Sequence, residues 1–89
     1  GIFSGTNLSW AKLSFRPERA KRVSLEEWHP LQRTEFDGEG YFILEIPYAE
    51  EHELIMDILR FGPDVEVLKP ASLRQAIIKK TTDMVAVYQ

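Results

Sequence analysis

The stretch "LQRTEFDGEGYFILEIPY", residues 31–48, predicts a β-hairpin near the middle of the chain. Asp37-Gly38 and Gly40 supply the turn between its two arms. The second arm alternates in polarity, so that one face of the strand is apolar throughout and consists of Phe42, Leu44 and Ile46. Tyr41, Ile43 and Glu45 fall on the other face. The hairpin therefore predicts a sheet that packs one face on a core.

The segment before the hairpin predicts a strand and then a helix. In "LSWAKLSF", residues 8–15, the side chains of Ala11, Leu13 and Phe15 share one face, and those of Trp10, Lys12 and Ser14 share the other. Pro17 suits the first position of a helix, because its missing N–H has no partner there in any case. We expect this helix to run to about Glu27, since Pro30 disfavours helical geometry in the residue before it.

The segment after the hairpin predicts a helix, a short strand and a last helix. Apolar residues recur at helical spacing in "EEHELIMDILRFG", residues 50–62, and Gly62-Pro63 is a stop signal. "VEVLK", residues 65–69, is typical of a strand.

The last helix is predicted over residues 70–89. Its predicted buried face consists of Leu73, Ile77, Met84 and Tyr88. Thr81 and Thr82 weaken its middle, where a break is possible.

The resulting order, β-α-β-β-α-β and then α, predicts an α+β protein, a ferredoxin-like βαββαβ sandwich with an additional C-terminal helix. Two helices cover one face of the sheet. The other face, which carries Trp10, Lys12, Tyr41 and Ile43 and which we name the open face, is too apolar to lie comfortably in water. We expect a partner chain, another domain or the last helix to lie against it.

Size and composition indicate one globular domain that does not enter a membrane. The chain has 89 residues, of which 44% are hydrophobic and 28% charged. Without cysteine it has no disulfide and no zinc–thiolate site, which suits a reducing, cytoplasmic compartment. No apolar run is long enough to span a bilayer. The chain starts without methionine and is expected to be a piece of a longer protein.

The net charge of −3 conceals an uneven distribution along the chain. Residues 34–58 carry eight acidic side chains and no basic ones. Residues 1–33 instead carry three acidic and six basic side chains: Lys12, Arg16, Arg19, Lys21, Arg22 and Arg33. A local basic surface can therefore exist on an acidic protein, because charges act within a Debye length of about 8–10 Å.

The first helix offers a candidate anion site. Arg19 and Arg22 are three residues apart on one side of the helix, with Lys21 beside them. They are suited to gripping phosphates. The alternative is a solvated helix face on which Arg22 pairs with Glu26, four residues on.

The motif that follows, Trp28-His29-Pro30, admits two interpretations. Trp28 can stack on a base, although closing the end of the core is the more usual use of such a residue. His29 can contact a phosphate or order the turn, and both remain open. Gln32 and Arg33 extend the same edge with an amide and a guanidinium, which makes a polar ligand site more credible.

Other chemistry finds little support. Glu50, Glu53 and Asp57 form an acidic stripe on the second helix that is typical of a solvated face. The two histidines, His29 and His52, are far apart in sequence and have no cysteine partners. No nucleotide-binding loop or catalytic motif is present, so we predict neither an enzyme nor a cofactor.

These segments resemble the C-terminal extension of bacterial WYL-domain transcriptional regulators, called the WCX domain. The most specific pieces are Trp28-His29-Pro30 with Gln32, and Phe61-Gly62-Pro63 with Val65, Val67 and Pro70. Residues 1–7 resemble the linker from the upstream WYL domain, and residues 8–89 the extension itself.

The resemblance implies a longer protein with a DNA-binding winged helix-turn-helix, a WYL domain and this regulatory module, which helps form an effector pocket and a homodimer. A nucleotide or single-stranded nucleic acid would be the effector, held by Arg19, Lys21, Arg22, His29, Gln32 and Arg33. The alternatives are an ACT-like module that binds a small metabolite and a pure oligomerisation domain. Neither needs the cations of residues 19–33.

Overall fold

The computed structural model describes residues 8–89, and its elements follow the predicted order. The bounds of the strands and helices, with a 3-10 turn at Gly62–Asp64, are β1 Ser9–Phe15, α1 Pro17–Val23, β2 Arg33–Phe36, β3 Phe42–Tyr48, α2 Glu51–Leu59, β4 Val65–Lys69 and α3 Ala71–Val87. The predicted linker, residues 1–7, lies outside the described residues.

The four strands form one antiparallel sheet in the order β2-β3-β1-β4. On β1, one of the two inner strands, Leu13 lies opposite Leu44 of β3 on one side and Val67 of β4 on the other. This strand order is that of the ferredoxin-like sandwich. The predicted α+β fold with an additional C-terminal helix is confirmed.

The core lies between the sheet and the helices, where the alternation of β1 and β3 predicted it. Leu13, Phe15 and Leu44 have no exposed surface, and α1 and α2 contribute Val23 and Ile58 to the same cluster. Burying one such side chain stabilises a fold by about 1.5–3 kcal/mol. Within residues 8–89, the open face is therefore the face of the sheet left to other contacts.

The hairpin turn is held by Asp37. Its Oδ1 accepts hydrogen bonds from the N–H groups of Glu39 and Tyr41, at 2.8 and 2.9 Å. Gly40 has φ +89°, a conformation that side chains with a Cβ rarely adopt. The turn predicted from Asp37-Gly38 and Gly40 is confirmed.

Helix α1 ends at Val23, four residues before the predicted end at Glu27. The predicted helix was too long because the chain must turn back to bring Trp28 against the core cluster. Ser24 marks the end, and its hydroxyl donates to the carbonyl of Lys21 at 2.7 Å. Arg22 and Glu26 are consequently not neighbours on one helix, and they form no ion pair among the pairs of residues 8–89.

Helix α3 is continuous through Thr81 and Thr82, so the possible break is not present. The Thr81 hydroxyl lies 2.9 Å from the carbonyl of Ile77 and 3.1 Å from that of Ile78, within the helix itself. Of the predicted buried face, Leu73 is fully buried and Ile77 half-buried. Met84 is 50% exposed and Tyr88 89% exposed, because no other part of residues 8–89 covers the distal half of the helix.

The last helix packs on β4 and α2, not on the open face. That candidate cover is therefore wrong. The open face is partly shielded by its own side chains: the guanidinium carbon of Arg33 lies 4.7 Å above the centre of the Trp10 ring, and Ile43 is only 9% exposed. A partner chain or another domain on this face stays a prediction.

Candidate functional site around the first helix

Three aromatic rings, those of Phe15, Trp28 and Phe61, pack together at the end of the core. Phe61 meets Phe15 edge to face, with centroids 5.2 Å apart, and stacks on Trp28 at 5.7 Å. Phe15 also meets Trp28 at 5.8 Å. Pairs of this kind stabilise a fold beyond the area that they bury. Trp28 thus packs against the end of the core, as the structural interpretation of the motif predicted.

Gln32 holds the loop that presents Trp28. Its Oε1 accepts hydrogen bonds from the backbone N–H of Trp28 at 2.7 Å and of His29 at 3.2 Å. Its amide nitrogen donates to the carbonyl of Glu26 over a long 3.4 Å. Gln32 therefore positions the loop through its carbonyl oxygen, while its amide nitrogen keeps one N–H that can donate to an anion.

His29 also serves the turn. Its Nδ1 accepts a hydrogen bond from the N–H of Leu31 at 3.0 Å, and its carbonyl accepts one from the N–H of Gln32 at 3.0 Å. An accepting Nδ1 carries no proton, so the neutral ring has its proton on Nε2. That nitrogen is the one part of His29 able to meet a ligand.

Arg19 is tied to the segment after α2. Its Nε lies 3.1 Å from Asp64 Oδ2, an ionic contact without the angle of a directed hydrogen bond. Its guanidinium carbon lies 4.9 Å from the centre of the Phe61 ring. Arg16 makes a second contact with Asp64, at 3.4 Å, and donates to the carbonyl of Pro63 at 2.9 Å. Arg16 and Arg19 thus share the carboxylate of Asp64 at the N-terminal end of α1.

Lys21 and Arg22 remain free on the surface. Both are exposed, and neither has an ion-pair partner among residues 8–89. They occupy the last turn of α1, where cations are also favoured by the helix dipole. The buried Ala20 and Val23 pack this turn against the core, so the backbone that carries the two cations is fixed.

Arg33 lies apart from the α1 cations. It begins β2, faces Glu45 across the strand pair and covers Trp10 on the open face. The six predicted site residues therefore divide into a free pair on α1, Arg19 at the Asp64 contact, His29 and Gln32 in the loop, and Arg33 on the sheet.

Sequence reasoning missed Arg16, Arg60 and Asp64 as neighbours of the site. Arg60 lies 5.2 Å from the Phe61 ring, on the same aromatic residue that Arg19 contacts. Arg16 and Asp64 are far apart in sequence, and the backbone bond from the Arg16 N–H to the Asp64 carbonyl at 3.0 Å brings them together. In the sequence, the Phe61-Gly62-Pro63-Asp64 segment was the feature that could have pointed to these neighbours.

The cleft beside the start of α1 does not suit an anion. It has a volume of about 380 Å³. Three carboxylates line it, those of Glu18, Asp64 and Glu66, against the single cation Arg16. This cleft is therefore not part of the candidate anion site.

The acidic stripe of α2 is solvated, as its sequence indicated. Glu50, Glu53 and Asp57 are exposed, and no three metal-ligating side chains of residues 8–89 converge on one point. Beside the stripe, burial raises the pKa of the Tyr48 hydroxyl, and the carboxylate of Glu51 raises it further, so this phenol stays neutral.

Residues 8–85 match the WCX domain family. Because the match covers most of the chain, this chain belongs to that family of regulatory domains, and the predicted resemblance is confirmed. No curated protein matches the chain. No helix within residues 8–89 has the length and apolar character to cross a membrane.

Proposed function

We propose that this domain is the effector-sensing and dimerisation part of a DNA-binding transcriptional regulator, with an upstream WYL domain and winged helix-turn-helix in the same chain. Its ligand is an anionic effector, a nucleotide or a short single-stranded nucleic acid. The single observation that carries the proposal is the free cation pair, Lys21 and Arg22, on a fixed helix.

The neighbouring residues support the pair instead of sharing its role. Gln32 and His29 fix the loop after α1, while Asp64 and Phe61 fix Arg19. Because the backbone around the pair is held in this way, the loss of conformational freedom on binding is confined mainly to the exposed Lys21 and Arg22 side chains. The Nε2 of His29 is the further contact that we assign to the effector. An effector regulates only through different affinities for two states of the whole protein.

Reversing the two charges tests the proposal. Lys21→Glu with Arg22→Glu is expected to weaken binding of a fluorescein-labelled oligothymidylate at least tenfold, and to reduce the salt slope by roughly 0.7 for each phosphate that the protein no longer neutralises. Fluorescence anisotropy at low and moderate salt measures both. Lys69→Glu with Lys79→Glu is the control, because it changes the net charge equally on exposed residues elsewhere. It also breaks the Lys79–Asp83 ion pair, but such an exposed pair contributes less than about 1 kcal/mol. Equal binding by the two double variants would refute the cation site.

Removing the charge of Asp64 is expected to have the opposite effect. In Asp64→Asn, the guanidinium groups of Arg16 and Arg19 lose their shared carboxylate. Their positive charge is then no longer neutralised, so the electrostatic potential at the N-terminal end of α1 becomes more positive. We expect oligothymidylate to bind about two- to fivefold more tightly, while the free energy of unfolding changes by less than about 1 kcal/mol, because the pairs are partly exposed. Unchanged or weaker anisotropy binding would place the ligand elsewhere.

A further inference from the structure

The distal half of α3 leaves the body of the domain with an apolar surface. From Ile78 onward every residue is exposed. The large apolar side chains there are Ile78, Met84, Val85, Val87 and Tyr88. A helix of 17 residues is about 25 Å long, and the domain is elongated, with extents of 50 × 31 × 19 Å.

This surface continues the stripe that holds α3 to its own core. Leu73 is buried in the core and Ile77 packs against it, and Met84 and Tyr88 follow at the same helical spacing. The opposite side carries Gln75, Lys79 and Ala86. The stripe therefore continues to the end of the helix, although its own chain covers only the first half of it.

An apolar groove runs alongside the same helix. It has a volume of about 290 Å³ between α3 on one side and the end of α2 with β4 on the other. Its apolar walls are formed by Ile58, Leu59, Val65, Val67, Ile77, Ile78 and Met84. Thr81 also lines the groove, and since its hydroxyl bonds within the helix, it presents a methyl group at little polar cost.

We propose that α3 pairs antiparallel with α3 of a second copy, around a two-fold axis near Thr81, so that the distal stripe of each copy enters the groove of the other. The proposal rests on the self-association in the proposed function and names its surface. A two-fold contact requires a self-complementary patch. The distal stripe and the groove both lie along α3. A two-fold rotation that places the stripe of one copy in the groove of the second therefore also places the stripe of the second copy in the groove of the first.

Charge and area favour the second copy. Lys80, just before the axis, has no ion-pair partner among residues 8–89. In the antiparallel arrangement it lies beside Asp83 of the other copy, whose carboxylate also binds Lys79 of its own helix at 2.8 Å. Like charges do not meet across this flank. A specific interface buries at least about 1,200 Å² in total, or roughly 600 Å² per copy. The exposed apolar side chains of the distal helix and the apolar groove beside them are the surface available for it.

Sedimentation equilibrium of the 89-residue chain tests the pairing. We expect a dimer that Met84→Glu weakens at least tenfold and that Ala86→Glu leaves unchanged. Both residues are exposed on the distal half of α3 and both variants gain one negative charge, so circular dichroism should show equal helix content.

Cysteine cross-linking locates the axis, because the chain contains no cysteine of its own. Thr81→Cys is expected to form a disulfide-linked dimer under mild oxidation, and Ala86→Cys, on the polar side, is expected to stay monomeric on a non-reducing gel. A dimer that survives Met84→Glu and does not cross-link through Thr81→Cys would overturn this surface but not the dimerisation itself. A chain that is monomeric at every concentration would overturn both.

Discussion

Replacing Phe61 with alanine is expected to lower the free energy of unfolding by about 3–5 kcal/mol. Phe61 is only 7% exposed, and its ring contacts both Phe15 and Trp28. The deletion leaves a cavity between these rings and removes the surface on which Arg19 and Arg60 lie. Urea denaturation followed by circular dichroism and tryptophan fluorescence measures the loss.

Phe36→Ala is the matched control, since it removes the same side chain from a 55% exposed position on the edge strand. Its ring touches Phe42 at 5.2 Å, so a smaller loss of about 1 kcal/mol is expected. If the two variants lost equal stability, the aromatic cluster would not be the support of the α1 site that we describe.

Gln32→Ala is also expected to lower the free energy of unfolding substantially. It removes the acceptor for the N–H groups of Trp28 and His29, and each buried donor left without a partner costs about 1–3 kcal/mol. Partial access of water to this loop keeps the expected loss near the lower part of the summed range, about 2 kcal/mol. Thermal and urea unfolding measure it. In a Trp10→Phe background, where Trp28 is the remaining tryptophan, its fluorescence should report the loosened loop.

Gln32→Glu separates this role from ligand binding. A carboxylate still accepts from both N–H groups, so stability should fall by less than half as much as in the alanine variant. An equal loss of stability in both variants would contradict the hydrogen-bonded loop. Leu31→Glu adds the same charge at an exposed neighbouring position. A loss of anion binding in Gln32→Glu that clearly exceeds the loss in Leu31→Glu, without any loss of stability, would instead show that the amide contacts the effector.

The parts of the fold that the sequence predicted correctly are those set by local patterns. Alternation determined the inward residues of β1 and β3, and the glycines with Asp37 determined the hairpin turn. The end of α1 was wrong, because it depends on where Trp28 packs in three dimensions. The burial of Met84 and Tyr88 was wrong for a similar reason: periodicity gives the face of a helix but not how far its partner extends.

The candidate site was predictable as a group of residue types but not as a geometry. Lys21 and Arg22 are free as a pair among residues 8–89, whereas Gln32, which sequence reasoning assigned to a ligand, bonds to its own loop. The contact between Arg16 and Asp64 joins two segments whose neighbourhood only the sheet order creates. Side-chain hydrogen bonds of this kind leave no periodic signal in a sequence.

The binding site can be mapped most directly by a ¹⁵N–¹H NMR titration of the labelled chain with short oligothymidylate. We predict chemical-shift changes centred on Lys21 and Arg22, extending to the Nε2–H side of His29, with the Trp10 indole signal unmoved. Changes confined to Trp10 and Arg33 on the open face, or to the groove beside α3, would contradict the account that α1 carries the effector site.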